Sequence, residues 1–157
     1  MNLTFHTPGG IEGESMRIIQ QELDEMGIIL DPDCADVVRR AIHTTADFDY
    51  AKNLIFTPEA ASAGAAALRS GTPIITDTNM ARSGINQKAC TQFGVERFCY
   101  MADPEVAQAA KEHGTTRAVA AVDRWAQEHP NAIFAVGNAP TALLRMCELM
   151  EAGKLRP

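Results

Sequence analysis

A chain of 157 residues, 46% of them hydrophobic, has room for one domain with a sizeable core. Its formal net charge of -6, with no cluster of Lys and Arg, argues against nucleic acid or anionic lipid as partners. The opening MNLTFHTPGG has neither a basic nor an apolar leader region, and no later run reaches the roughly 18 apolar residues of a membrane span, so the protein is read as cytoplasmic, with no membrane partner.

Taken in chain order, Ile18, Ile19, Leu23 and Met26 recur at helical spacing before Gly27, which predicts a helix across roughly Glu14 to Met26 with a glycine end. Asp31 is placed to cap a second helix and Pro32 to occupy its first turn; Cys34, Val37, Val38, Ala41 and Ile42 form its apolar face, and it should end near Thr44 or Thr45. KNLIFT then reads as a strand, and Thr57-Pro58 starts a small-residue helix through Leu68. PIITDT is a second strand, with a helix after Gly84, and ERFCYM is a third. Asp103-Pro104 and Thr115-Thr116 each open a helix, and AIFAVG is a fourth strand leading into a helix from Ala139 to Ala152. These strands are short continuous apolar runs, as expected of parallel strands covered on both faces. The expected fold is therefore α/β: a three-layer α/β/α sandwich with a mostly parallel, doubly wound sheet of the flavodoxin-like kind.

Cys34, Cys90, Cys99 and Cys147 form no C-x-x-C pair and read as reduced, mostly buried thiols. His6, His43, His113 and His129 show no H-x-x-x-H or H-E-x-x-H spacing, so no protein-bound metal is expected. Ser15, Ser62, Ser70 and Ser83 lack a nucleophile-elbow context, which disfavours a Ser-His-Asp hydrolase.

Open parallel sheets bind ligands beyond the carboxyl ends of their strands, where helix N-termini and turn amides converge. At those ends stand Thr57, the run Thr76-Asp77-Thr78-Asn79, Asp103 and Gly137-Asn138. Thr57 and Asp103, each followed by proline, read as helix caps; TDTNMARSGIN is too long a polar run for one cap. In VGNAPTALL, the free amides and helix dipole at the Gly137-Asn138 turn could meet a carboxylate or phosphate, or the turn could be a tight connection. The glycine fingerprints of nucleotide binders are absent, against a flavodoxin-like nucleotide or phosphate binder. Arg17, Arg82 and Arg117 are the cations near predicted element ends, suited to pair with carboxylates or else to be solvated.

His43 follows Asp36, Arg39 and Arg40 on the polar face of its helix, in the last turn, where the dipole favours a cation. A histidine there is either a favourable surface charge or a working acid, and spacing leaves both open.

DPDCADVVRRAIHTTADFDYAKNLIFTPEA, GTPIITDTNMARSGIN, MADPEVAQAAKEHGTTRAVAAVD and AIFAVGNAPTALLRMCELMEAGKLRP, in this order, closely resemble the precorrin-8X methylmutase family of cobalamin biosynthesis, from Ile11 to Pro157. The resemblance implies an isomerase that moves the ring methyl group from C-11 to C-12 of precorrin-8X, or its cobalt form, to give hydrogenobyrinic or cobyrinic acid. It implies no cofactor, any cobalt belonging to the corrinoid substrate, and a homodimer. It places the catalytic histidine on His43 and substrate contacts on Ser15, Arg17, Thr76, Thr78, Thr115, Thr116, Arg117, Gly137 and Asn138. It also implies a single methylmutase domain over 1–157 that lacks the family's usual C-terminal strand, Gly-rich basic segment and helix; the alternative it leaves is a corrinoid-binding module of the same fold without turnover.

Overall fold

The computed structural model describes residues 8–156. The reading of the N-terminal leader and the placement of His6 lie outside the described residues. The chain forms two compact units, one up to Ala63 and one from Gly64 onward.

The first unit is built from α1 (Pro8–Glu25), α2 (Ala35–Thr45), α3 (Tyr50–Asn53) and the start of α4 (Ala60–Arg69). α1 begins earlier than the apolar periodicity suggested, because its first turn carries a proline and small residues rather than core side chains. It ends on Gly27, which takes a left-handed φ of 69° while the Ile28 N–H donates to the Leu23 carbonyl at 2.9 Å. Ile19 and Leu23 of α1 bury against Val38 and Ile42 of α2, and Phe48, Leu54 and Phe56 pack on this cluster.

Asp31 does not cap α2: the helix starts three residues later, with Cys34 at its N-cap, and the Asp31 carboxylate accepts instead from the Asp33 N–H at 2.9 Å in a tight turn. KNLIFT is not a strand. Lys52 and Asn53 belong to α3, and the following residues run without ladder hydrogen bonds, with Leu54 and Phe56 turned to the core and Ile55 93% exposed. An extended segment with one apolar face satisfies the same pattern as a strand, and only a neighbouring strand separates the two. The cap of α4 is also remote in sequence. Asp33, not Thr57, accepts from the N–H groups of Ala61 (2.9 Å) and Ser62 (3.0 Å).

The second unit is the α/β part. β1 (Ile74–Thr76) lies between β2 (Arg97–Phe98) and β3 (Ile133–Ala135) in the order β2-β1-β3. Both pairings are parallel, with Ile75 opposite Phe98 on one side and Phe134 on the other. Among the described residues the sheet has three strands where four were expected. Ile75 faces a cluster built around Val106, Val122, Trp125, Met146 and Leu149. Ile74 faces Cys90 and Val95, with Leu68 and Ile133 beside them. This alternation buries both faces of the sheet, which is why the strand sequences are apolar throughout.

Besides the rest of α4, the described residues of this unit form α5 (Asn79–Gly84), α6 (Gln87–Phe93), α7 (Pro104–Glu112), α8 (Arg117–Glu128) and α9 (Pro140–Glu151). Asp103 caps α7 through the Glu105 N–H, and Thr116 caps α8 through the Val119 N–H, as the local sequence predicted. The helix expected after Gly84 is α6, capped by the Asn86 side chain, and the polar run after β1 holds an additional short helix, α5, that ends at Gly84. Arg124 joins α8 to the start of α7 by pairing with Asp103 at 2.6 Å and, within α8, with Glu128 at 2.7 Å, and it lies 4.8 Å from the Tyr100 ring centre. The Glu128 carboxyl is held below its ordinary range, first by the Tyr100 hydroxyl that donates to it and then by Arg124. Among the described residues no helix is long and apolar enough to cross a membrane.

Candidate functional site

In the first unit, the burial of Val38 and Ile42 fixes the rotation of α2 and brings His43, half-buried, beside α1. There the Ser15 Oγ lies 2.7 Å from His43 Nδ1. With Nδ1 occupied by a hydroxyl that can donate or accept, the imidazole ring is oriented and Nε2 is left as the nitrogen for external chemistry. When Ser15 donates, the neutral ring carries its proton on Nε2; when the ring is cationic, both nitrogens donate. The pair borders a cavity of about 380 Å³ whose other walls include Ile11, Ile18, Ile19 and Phe48. Mostly apolar walls with a hydroxyl–imidazole pair, and with Glu14 and Glu22 also on the lining, suit a largely hydrocarbon ligand that needs few polar contacts.

Arg17 stands on α1 two residues beyond Ser15, yet it does not line this cavity. Its guanidinium is held by Glu14, with Nε 2.9 Å from the carboxylate, and borders a charged groove with Glu12, Asp36, Arg39 and Arg40. Glu14 lies below the ordinary carboxyl range, first because of its hydrogen bond from Arg17.

In the second unit, the strand ends hold the remaining candidates. Thr76 is fully buried, and its hydroxyl is within reach of the carbonyls of Thr78 (2.9 Å) and Phe98 (3.3 Å), so it ties the end of β1 to its neighbours. Thr78 accepts from the Ala81 N–H at 3.2 Å and starts α5. Gly137 and Asn138 lie at the surface after β3, but their N–H groups point inward: with that of Ala139 they donate to Asp77 Oδ2, at 3.1, 2.6 and 3.0 Å. The nest of amides that the sequence marked as an anion pocket is thus filled by the protein's own carboxylate. The Thr116 hydroxyl lies 3.4 Å from that of Thr141 in the first turn of α9, which sets the N-termini of α8 and α9 side by side. Thr115 donates its N–H to the Ala110 carbonyl, and Arg117 and Arg82 are exposed without an ion pair among the described residues.

The structure therefore pairs Ser15 with His43 in one unit and groups Thr76, Thr78, Thr116, Gly137 and Asn138 near strand and helix ends in the other. The residue that sequence reasoning passed over is Asp77. An acid between two threonines at the end of the central strand was the available signal, but its partners lie 60 to 62 residues away. Among the described residues no three His, Cys, Asp or Glu side chains are grouped to hold a metal ion.

The family model for precorrin-8X methylmutase matches residues 10–157. The cobalt-precorrin-8 methylmutase of Priestia megaterium is 36% identical over 96% of this chain and 66% of its own length. That of Salmonella typhimurium is 49% identical over 71% of this chain and 54% of its own. The crystal structure of the precorrin-8X methylmutase from Thermus thermophilus superposes with a TM-score of 0.84 at 42% identity, covering 94% of this chain and 70% of that one. The chain thus spans about half to two thirds of the length of the two curated relatives.

Proposed function

Because the chain belongs to the precorrin-8X methylmutase family, we propose that it acts on a corrinoid, moving the methyl group from C-11 to C-12 of precorrin-8X or its cobalt form to give hydrogenobyrinic or cobyrinic acid. The observation that carries this reading, beside the family match, is the Ser15–His43 pair on the wall of an apolar cavity. The reaction breaks one C–C bond and forms another within one molecule, with no change in hydrogen count. A protein group therefore needs only to fix the macrocycle and to polarise it during the shift.

His43 Nε2 is the group for that task. It donates a proton or a hydrogen bond to the ring system near the migrating methyl and recovers it as the product forms, while Ser15 holds the ring at Nδ1. The acetate and propionate side chains of the substrate call for cations and polar groups, and Arg117, which has no ion pair among the described residues, and the side chains of Thr115 and Asn138 are suited to them. Arg17, Thr76, Thr78, Thr116 and Gly137 act in this reading chiefly by shaping the surfaces that meet the substrate. The shift needs no cofactor, and cobalt where present travels with the substrate.

The central position of β1, with helices on both faces of a parallel sheet, supports a flavodoxin-like doubly wound sandwich, and 1–157 is read as methylmutase domain. Exposed Leu143 and Leu144 on α9 are apolar surface that a second copy would cover in a homodimer. A cytoplasmic setting fits a biosynthetic enzyme. Incubation with precorrin-8X, followed by the absorbance change to the orange corrin product, tests the reading. Appearance of product is expected, and binding without conversion would leave a corrinoid-binding module.

A further inference from the structure

Asp77 is only 2% exposed, and its side chain directs all its hydrogen bonds through one oxygen. Oδ2 accepts from the N–H groups of Gly137, Asn138 and Ala139, whereas Oδ1, equally buried, has no partner among the described residues. The backbone of Asp77 extends the β1–β3 ladder by donating to the Ala135 carbonyl at 3.3 Å, which seats the carboxylate directly beneath the turn. The α9 N-cap, Ala139, has no side chain able to cap, so this carboxylate takes over the capping from the neighbouring strand and places a negative charge at the helix N-terminus.

We propose that Asp77 is a positioning residue for the reaction: it holds the β3–α9 turn so that the Asn138 side chain and the start of α9 are presented to the substrate. This rests on the methylmutase reading, in which Gly137 and Asn138 are substrate contacts. It revises how that contact is made. The amides of the turn serve Asp77, so the substrate meets the outward face of the turn, with the exposed Asn138 side chain as its polar group. Loss of Asp77 strands three N–H groups at once, and the turn must reopen toward water to satisfy them. Because the Thr141 hydroxyl touches that of Thr116, such a shift also disturbs the N-terminus of α8.

The test compares wild type, Asp77→Ala and Asp77→Asn with Val122→Ala, a buried core variant that lowers thermal stability elsewhere in the unit. Amide hydrogen exchange at Gly137, Asn138 and Ala139 is read alongside hydrogenobyrinic acid titration and turnover of precorrin-8X. Asp77→Ala is expected to speed exchange at these amides and to raise KM and product Kd by about tenfold or more, with kcat changed far less. Asp77→Asn, which keeps one acceptor oxygen in the nest, restores most of both. Unchanged exchange in Asp77→Ala, or a binding loss no larger than that of Val122→Ala at equal stability, overturns the proposal. Failure of the wild type to bind or convert any corrinoid overturns the methylmutase reading and the catalytic half of this one, while exchange still decides whether Asp77 holds the turn.

Discussion

Ser15 Oγ stands 2.7 Å from His43 Nδ1 although 28 residues separate the two in sequence. The contact is made because α1 and α2 bury Ile19, Leu23, Val38 and Ile42 against one another, which leaves the polar residues beside that seam facing each other. His43→Ala is expected to abolish methyl migration while leaving product affinity within roughly tenfold, about 1.4 kcal/mol, since apolar walls and other polar groups carry the binding. Turnover and a binding titration on the same preparation check it, and normal turnover would remove His43 from the mechanism.

Ser15→Ala should act on the rate rather than on binding. A lost hydrogen bond of about 0.5–1.5 kcal/mol translates to a fall of up to about tenfold in kcat, because the imidazole is freed to rotate. Ser15→Thr, which keeps the hydroxyl, is expected to recover most of the rate. Equal rates in wild type and Ser15→Ala would show that the hydroxyl does not orient the ring.

The two arginines should separate. Arg117 has no ion pair among the described residues, so Arg117→Leu should weaken product binding by about 1.5–3 kcal/mol, the range for charged hydrogen bonds. Arg17 is already bound to Glu14, and Arg17→Leu should cost less. Calorimetric titration of both variants decides; a larger loss at Arg17 would mean that its pair with Glu14 opens to receive the substrate.

Asp33 gives a pH dependence with a definite sign. Hydrogen bonds from Ser62, and the N–H groups of Ala61 and Ser62, hold its carboxyl below the ordinary range. A depressed folded-state pKa stabilises the fold above the usual carboxylate titration, and that contribution is lost as the pH falls toward the folded-state value. Glu128 adds in the same direction, through Tyr100 and Arg124. The stability gap between wild type and Asp33→Asn should therefore shrink between neutral and acid pH, as followed by urea unfolding at several pH values.

Trp125 is completely buried and its Nε1 has no partner among the described residues. Trp125→Ala should cost about 3–5 kcal/mol through the cavity it leaves, and Trp125→Phe far less, since no hydrogen bond is surrendered. Thermal unfolding of the two variants measures the difference.

The sequence by itself determined what local chemistry controls. Asp103 before Pro104 and Thr116 before Arg117 cap their helices through N–H groups two or three residues on, and continuous apolar runs at Ile74–Ile75 and Ile133–Phe134 announced parallel strands buried on both faces. His43 and Ser15 were named as candidate site residues by the family resemblance alone, and their hydrogen bond was not foreseen. The tertiary structure decided which partner each polar group meets. Leu54–Phe56 has the pattern of a strand but pairs with no strand among the described residues, and the cap of α4 comes from Asp33 rather than Thr57. The amides of Gly137 and Asn138 could as well have held a substrate carboxylate, and the fold gave them Asp77. The physical reason is common to all three: backbone hydrogen-bonding capacity is written residue by residue, but its satisfaction depends on groups that only long-range packing brings within 3 Å or so.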